Sequence, residues 1–288
     1  MDFLITFVNG VSLGGIYALI ALGYTMVYGI AKMLNFAHGD IIMVGGYTIM
    51  LFLPINPIVA IGAAIVFCVL IGVVIEKVAY RPLRGSSPLA VLITAIGISY
   101  LLQSIALISF GPDSAFVIIA ELGNLQIGEL KIAWTTVLTL LVSAAVMTAL
   151  SIFVKYSKTG RAMVAVSEDK DAARLMGINI NFIITITFAI GSALAAIAGV
   201  FSLMNVPTIK PTYGALPGIK AFTAAVIGGI GSIPGAMLGG ILLGVIECIC
   251  DSNSAVMPYT IAIEFAILIV ILLVKPTGLL GKKRREKV

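Results

Sequence analysis

Apolar residues in this chain follow neither the three-and-four spacing of a surface helix nor the alternation of a half-buried strand; they come in long unbroken runs. Charge is absent from Phe3 to Ala31, Ile41 to Ile75, Gly85 to Pro112, Ile132 to Val154, Ile178 to Ile209 and Ala221 to Ile246. Each run exceeds the roughly 20 apolar residues that cross a bilayer core, and none alternates as an outer-membrane barrel strand does. The pattern predicts spanning helices. Four full crossings follow directly: Leu89 to Phe110, Ile132 to Val154, Phe182 to Val206 and about Met257 to Val274. Two pieces are too short to join them: Ile41 to Leu53 before Pro54 and Pro57, and Gly218 to Ile230 before Gly231-Ser232-Ile233-Pro234-Gly235. At about thirteen residues each they reach roughly 20 Å as helix, against a core of about 30 Å. Either each crosses where the bilayer is thinned or the helix tilted, or each is a discontinuous helix that ends inside the membrane. The expected total is eight, nine or ten passes, with the side of the amino terminus open. Met1 and Asp2 lead straight into an apolar run without a basic region or a small-residue cleavage site, which predicts a first helix and not a removable signal.

Composition agrees with the pattern. Of 288 residues, 60% are hydrophobic and 11% charged, against about 25% charged in ordinary soluble chains. A soluble domain lacks its polar cover at that balance, and disorder is excluded on the same ground. The fold class expected is all-α, a polytopic transmembrane bundle of about 8 to 10 helices including short or broken ones, with residues 1–288 as a single domain. Cys68, Cys248 and Cys250 fall in or beside apolar runs and read as small hydrophobes. The net charge of +5 offers no basic, aromatic-interleaved face, so no nucleic acid is expected as a partner.

Placement of the charges supplies orientation. Of eighteen Lys and Arg residues, thirteen sit in three stretches: Arg81 and Arg84; Lys155, Lys158, Arg161, Lys170 and Arg174; and Lys275 through Lys287. The positive-inside rule puts these in the cytoplasm, and with them the carboxyl terminus. The acidic stretch from Gly111 to Lys131, with Asp113, Glu121 and Glu129, and the stretch from Asn205 to Pro217 belong outside.

Irregular backbone at membrane depth persists only where protein or a water-filled cavity satisfies it, and Gly- and Pro-interrupted segments in both halves of a chain point to a transport site. Asn35, His38 and Asp40, with Gly231, Ser232 and Pro234, are the candidate path residues; the alternative is two tight surface loops. His38 is the sole histidine, so it cannot build a metal site or a triad; it lines or gates the path, or caps the break. Lys220, Glu247 and Glu264 lie in or near apolar runs and are expected to face the bundle, a cavity or an interface, in structural pairing or in transport. Glu76 reads as salt-linked to Lys77 and Arg81 at a helix end, and Thr94, Ser99 and Gln103 as polar groups turned into the bundle. Small residues recur every fourth position at Gly231, Gly235 and Gly239, at Ala236, Gly240 and Gly244, and at Gly191, Ala195 and Gly199, predicting close helix packing. No metal, cofactor or hydrolytic spacing is found.

The longest polar insertion spans 156–180. Ser167 reads as an N-cap, Glu168 and Asp169 as the first turn and Gly177 as the stop of a short amphipathic helix, with Ala172, Leu175 and Met176 on one face. So short a helix is not stable alone and is expected to dock onto something, or to lie on the head groups.

Asp171-Ala172-Ala173 followed by Gly177 resembles the Glu-Ala-Ala-x-x-x-Gly signature of ABC importer permeases, with Asp in place of Glu. Asn9 through Gly29, Asn35 through Gly39, Glu76 through Pro82, Gly160-Arg161-Ala162, Lys220 through Ala236 and Pro276 through Gly281 extend the likeness over most of the chain. It resembles the smaller permease subunits of high-affinity branched-chain amino acid ABC importers, in the binding-protein-dependent inner membrane component family. The resemblance implies a multi-pass inner-membrane protein in the lipid bilayer that forms the path with a second homologous permease. It also implies two ABC ATPase subunits and an extracytoplasmic substrate-binding protein. It makes Gly160, Arg161, Glu168, Asp169, Asp171, Ala172, Ala173, Leu175 and Gly177 the expected ATPase-coupling residues. No Gly-x4-Gly-Lys-Ser/Thr loop is present, so ATP hydrolysis is expected in the partners and this chain is not expected to be an enzyme. A permease for another amino acid or a sugar, or a stand-alone ion-coupled transporter, are the alternatives.

Overall fold

The computed structural model describes residues 2–120, 122–127 and 130–281. Glu121, Glu129 and the basic residues from Lys282 to Lys287 lie outside the described residues. The apolar runs become helices, three of which start at a side-chain cap followed by proline. In order the helices are α1 (Asp2–Ala31), α2 (His38–Phe52), α3 (Pro57–Ile75, continued by a π-helical turn Glu76–Tyr80), α4 (Pro88–Phe110), α5 (Trp134–Tyr156), α6 (Lys158–Glu168) and α7 (Lys170–Leu175). Then come α8 (Ile180–Asn205), α9 (Ala215–Gly228), α10 (Ile233–Asp251) and α11 (Thr260–Val274). The Asn56 side chain accepts from the Ile58 amide at 2.8 Å, Ser87 from Ala90 at 3.3 Å and Ser232 from Gly235 at 3.3 Å, each with proline in the first turn. Among the described residues seven helices are long and apolar enough to cross a membrane, and α2 and α9 are shorter apolar helices. The chain is therefore a polytopic all-α membrane protein.

Helices α1 and α8 form the buried centre, with runs such as Ala18 to Leu22 and Leu194 to Ala196 closed off on all sides. At the periphery α3, α4 and α11 turn large apolar side chains outward, including Phe67 and Leu70, Leu101 and Ile108, and Ile269 and Leu273. An apolar exterior over an equally apolar interior is what lipid as solvent requires. Small residues set the closest contacts, as the four-residue spacing predicts. A Cβ on Gly14 would stand 2.6 Å from the Ile241 Cα, and one on Gly240 2.5 Å from the Ala18 Cα, so α1 and α10 meet backbone to backbone. Gly235 and Gly239 meet α9 in the same way, and Gly199 meets Ile42 of α2.

The antiparallel contact of α1 with α10 places Ala31 and Ile233 at one end of the bundle and Asn9 and Asp251 at the other. The first end also carries α6, α7, the Arg81–Arg84 turn and residues 275–281, whose Leu279 and Leu280 amides donate to the Ile227 and Gly228 carbonyls. The opposite end carries two small antiparallel sheets: β1 (Ala115–Phe116) with β4 (Thr208–Ile209), and β2 (Asn124–Ile127) with β3 (Leu130–Ala133). Counting α2 and α9 with the seven long helices, the described residues run from one end of the bundle toward the other nine times, so the first and last described residues stand at opposite ends.

Helices α2 and α9 are 15 and 14 residues long, about 22 and 21 Å. Thinning or tilt does not explain them. His38, the first residue of α2, packs on Gly23 and Gly191, the latter near the middle of α8, while Gly46 of α2 lies beside Leu203 and Ile209 at the sheet-bearing end. Helix α9 starts beside Gly39, where Gly218 lies against the Gly39 Cα, and ends at Gly228 beside the 275–281 segment. Both are discontinuous helices: their amino termini meet midway through the bundle and they leave in opposite directions.

Candidate functional site

The meeting point of α2 and α9 brings together Asn35, His38 and Asp40. All three are buried, with His38 1% and Asp40 2% exposed. The chain between α1 and α2 returns from the Ala31 end without helix, starting with Lys32 at φ 61°, a left-handed conformation uncommon for lysine. Asn35 is held by the Tyr80 hydroxyl, which donates to its Oδ1 at 2.9 Å. Asp40 accepts from the Gln103 Nε2 at 2.9 Å, and the same nitrogen donates to Ser99 Oγ at 3.2 Å, so α4 is tied to the amino terminus of α2. Thr94, earlier on α4, donates to the Ala90 carbonyl of its own helix at 2.9 Å. The His38 ring takes the Tyr24 ring edge-on at 4.7 Å, and Phe222 of α9 joins Tyr24 at 5.8 Å and Phe36 at 5.4 Å. Two buried polar atoms, His38 Nε2 and Asn35 Nδ2, have no hydrogen-bond partner among the described residues. Unpaired polar atoms beside two helix amino termini form a place where water or a polar solute gains hydrogen bonds.

Gly231, Ser232 and Pro234 are not brought to that junction. They stand at the Ala31 end: a Cβ on Gly231 would lie 3.9 Å from Gly29, Ser232 caps α10, and Pro234 lines a groove with Val154, Lys155 and Arg161. The two candidate path segments therefore occupy different depths.

The polar segment folds as two helices where the sequence predicts one. Ser157 caps α6 by accepting from the Gly160 amide at 2.8 Å, and Gly160 packs against the backbone of Val154. Ser167 is not an N-cap. It lies inside α6 and donates to the Val164 carbonyl at 2.7 Å, because the helix begun at Lys158 runs on through Glu168. Asp169 is the cap, accepting from the Asp171 and Ala172 amides at 2.9 and 3.0 Å. A carboxylate binds two free amides better than a hydroxyl does, and it suits the positive end of the helix. Gly177 closes α7 at φ 80°, its amide donating to Arg174 and that of Ile178 to Ala173, a Schellman end. Ala173 anchors α7 to the bundle, while Leu175 and Met176 are 89% and 82% exposed and Ala172 stands exposed beside them.

Sequence reasoning missed how this segment is tied to the junction. Lys170 Nζ donates to the Ala31 carbonyl at 3.0 Å, the last residue of α1 and the start of the return toward His38. Burial, and then the Arg84 guanidinium, lower the Lys170 pKa below the ordinary lysine value. Glu76 is paired with Arg84 and accepts from Thr185 Oγ1 at 2.7 Å; Lys77 and Arg81, its expected partners, take no part. The π-helical turn at Glu76–Tyr80 adds a residue to the turn and aims Glu76 inward.

Lys220, Glu247 and Glu264 form one cluster between α9, α10 and α11, with Lys220 Nζ 2.7 Å from Glu247 and 3.2 Å from Glu264 and 5.9 Å from the Tyr17 ring centroid. Lys220→Met is expected to destabilise the chain by about 3–5 kcal/mol, since it strands two carboxylates in apolar surroundings. Adding Glu247→Gln and Glu264→Gln is expected to restore most of the loss, read as the unfolding midpoint in detergent. Equal midpoints for Lys220→Met and the native chain would show that the cluster contributes nothing.

Among the described residues no group of three or more His, Cys, Asp or Glu is arranged to hold a metal. A family model described as the permease component of branched-chain amino acid transport systems matches residues 6–272. The chain is 44% identical to the high-affinity branched-chain amino acid transport system permease protein BraD of Pseudomonas aeruginosa, over 98% of this chain and 96% of that one. It is also 44% identical to LivH of Escherichia coli, over 97% and 96%. The fructose import permease FrcC of Rhizobium meliloti is 34% identical over 30% of this chain and 26% of its own.

Proposed function

The chain belongs to the permease-component family of branched-chain amino acid transport systems, and from that premise we propose that it is the membrane-spanning subunit of an ABC importer for leucine, isoleucine and valine. It forms the path with a second homologous permease, two ATPases supply the energy from the cytoplasm, and an extracytoplasmic protein delivers substrate. The observation that carries this reading is α7: a capped helix anchored by Ala173 that presents Leu175 and Met176 to solvent at the end bearing the basic residues. Exposed apolar side chains at the tip of a rigid polar segment fit the cleft of a partner and not a lipid-facing wall.

The basic residues Arg81, Arg84, Lys158, Arg161, Lys170 and Arg174 share that end, which supports placing it in the cytoplasm with the carboxyl terminus, and the amino terminus outside. Substrate would cross at the α2–α9 junction, whose helix amino termini suit a carboxylate and whose aromatic and aliphatic walls suit an apolar side chain. A shift of α7 reaches the junction through Lys170, Ala31 and the non-helical return. Reversing a 1:99 population of two states takes about 5.5 kcal/mol, which the docked partners must supply.

Reconstitution tests the assignment. Proteoliposomes holding both permeases and both ATPases are expected to take up labelled leucine only with internal ATP and an external binding protein. Uptake by this chain alone under an ion gradient would replace the reading by a stand-alone transporter, and uptake of fructose in place of leucine would replace the substrate.

A further inference from the structure

We propose that the groove between α5, α6 and the start of α10 binds the head group of an anionic phospholipid in the leaflet that faces the coupling segment. The groove holds about 640 Å³; Val154, Val164, Ile233 and Pro234 form its walls, and Lys155 and Arg161 its charged rim. Neither cation is neutralised: the ion pairs among the described residues are Arg84 with Glu76 and Lys220 with Glu247 and Glu264. Lys155 lies over the Tyr156 ring at 5.2 Å, which orients the ammonium and leaves its charge available.

Depth and shape select the ligand. Lys155 is in the last turn of α5 and Ile233 and Pro234 are in the first turn of α10, so the rim sits where both helices leave the apolar layer. Three residues back along α5 stands Ile152 and four residues on along α10 stands Leu238, both exposed and, by helical spacing, on the faces of Lys155 and Pro234. A phosphate at the rim with acyl chains laid along Ile152 and Leu238 satisfies both halves of the surface, whereas a small hydrated anion uses only the cations. Basic pockets between spanning helices at the cytoplasmic boundary take anionic head groups by this chemistry. Arg161, expected only to serve ATPase coupling, would then fix the first turn of α6 to the membrane surface. The inference goes beyond the proposed function and depends on it only for the name of the leaflet.

The test uses the assembled importer in bilayers containing phosphatidylglycerol with a photoactivatable group on its acyl chain. Label is expected within 148–156 and 233–242, and Lys155→Gln with Arg161→Gln is expected to lower it roughly twenty-fivefold, two cations each contributing about a fivefold gain in affinity. Lys158→Gln, an exposed neighbour outside the groove, is expected to leave the label unchanged. If the double variant fails to assemble, Arg161→Gln alone is expected to lower the label about fivefold. Label that survives these substitutions, that millimolar inorganic phosphate displaces, or that appears only when the second permease is omitted overturns the proposal; the last two outcomes identify a small-anion site and a subunit interface.

Discussion

Valine at Gly39 or at Gly214 is expected to reduce uptake below about one hundredth of the native rate. The two glycines face each other where α2 and α9 begin: a Cβ on Gly39 would fall on the Gly214 carbonyl oxygen, and one on Gly214 on the Gly39 carbonyl. The obstacle in both cases is backbone, which cannot rotate away as a side chain would. Inserting methyl groups into a packed interior costs about 1–3 kcal/mol even where side chains give way, and here the two helix starts must separate. Gly218→Ala is expected to be milder, its Cβ standing 2.9 Å from the Gly39 Cα. Gly62→Ala serves as control, because that glycine is exposed on α3 with nothing within 4 Å of the added carbon. It is expected to transport normally and to gain about 0.5–1 kcal/mol of helix propensity. Leucine uptake scaled to the amount of assembled importer decides the matter. Native uptake by Gly39→Val would mean that α2 and α9 stand apart in the working protein and that the path lies elsewhere.

The junction was only half legible in the sequence, for a physical reason. Long charge-free runs are a one-dimensional signal, so Pro88–Phe110 and Ile180–Asn205 came out within two residues of the sequence reading. The short lengths of α2 and α9 were equally visible, and Gly and Pro marked where each run broke. Which breaks meet is a three-dimensional fact. On sequence the Asn35 break pairs with the Gly231 break after α9, yet in the fold Gly39 meets the start of α9 at Gly214 and Gly218, and Gly231 belongs beside Gly29. Gly214 and Pro217-Gly218 carried the same kind of signal as Gly231 and Pro234, and nothing in composition ranks one above the other. Charge pairing was similarly obscured: Glu76 lies next to Lys77 and four or five residues from Tyr80 and Arg81, but the π-helical turn rotates it toward Arg84 and Thr185. Ser167 lost the capping role to Asp169 because α6 had already formed upstream, at Ser157.

Leu175→Asp with Met176→Asp is expected to leave the permease folded in the membrane and to lower uptake roughly a hundredfold. Both side chains are almost wholly exposed, so neither holds the bundle together, and a charge added there meets water in the free chain. In a partner's apolar cleft the same charges are desolvated, and losing anchors of this kind typically costs about 2–4 kcal/mol of binding. ATP hydrolysis is then expected to continue at its basal rate without stimulation by substrate-loaded binding protein, which separates lost coupling from lost folding. Gly177→Val tests the same helix through its backbone. The added Cβ meets open space within this chain, so the effect comes from φ 80°, where an L-residue is strained by about 1–2 kcal/mol, and the Schellman end loosens. Asp169→Asn keeps a cap able to accept from Asp171 and Ala172 and is expected to transport close to normally. The three variants distinguish the tip from the helix that carries it. Loss in Leu175→Asp/Met176→Asp with retention in Asp169→Asn places the contact at the apolar tip, whereas full uptake in the tip variant would return α7 to the status of a surface loop helix.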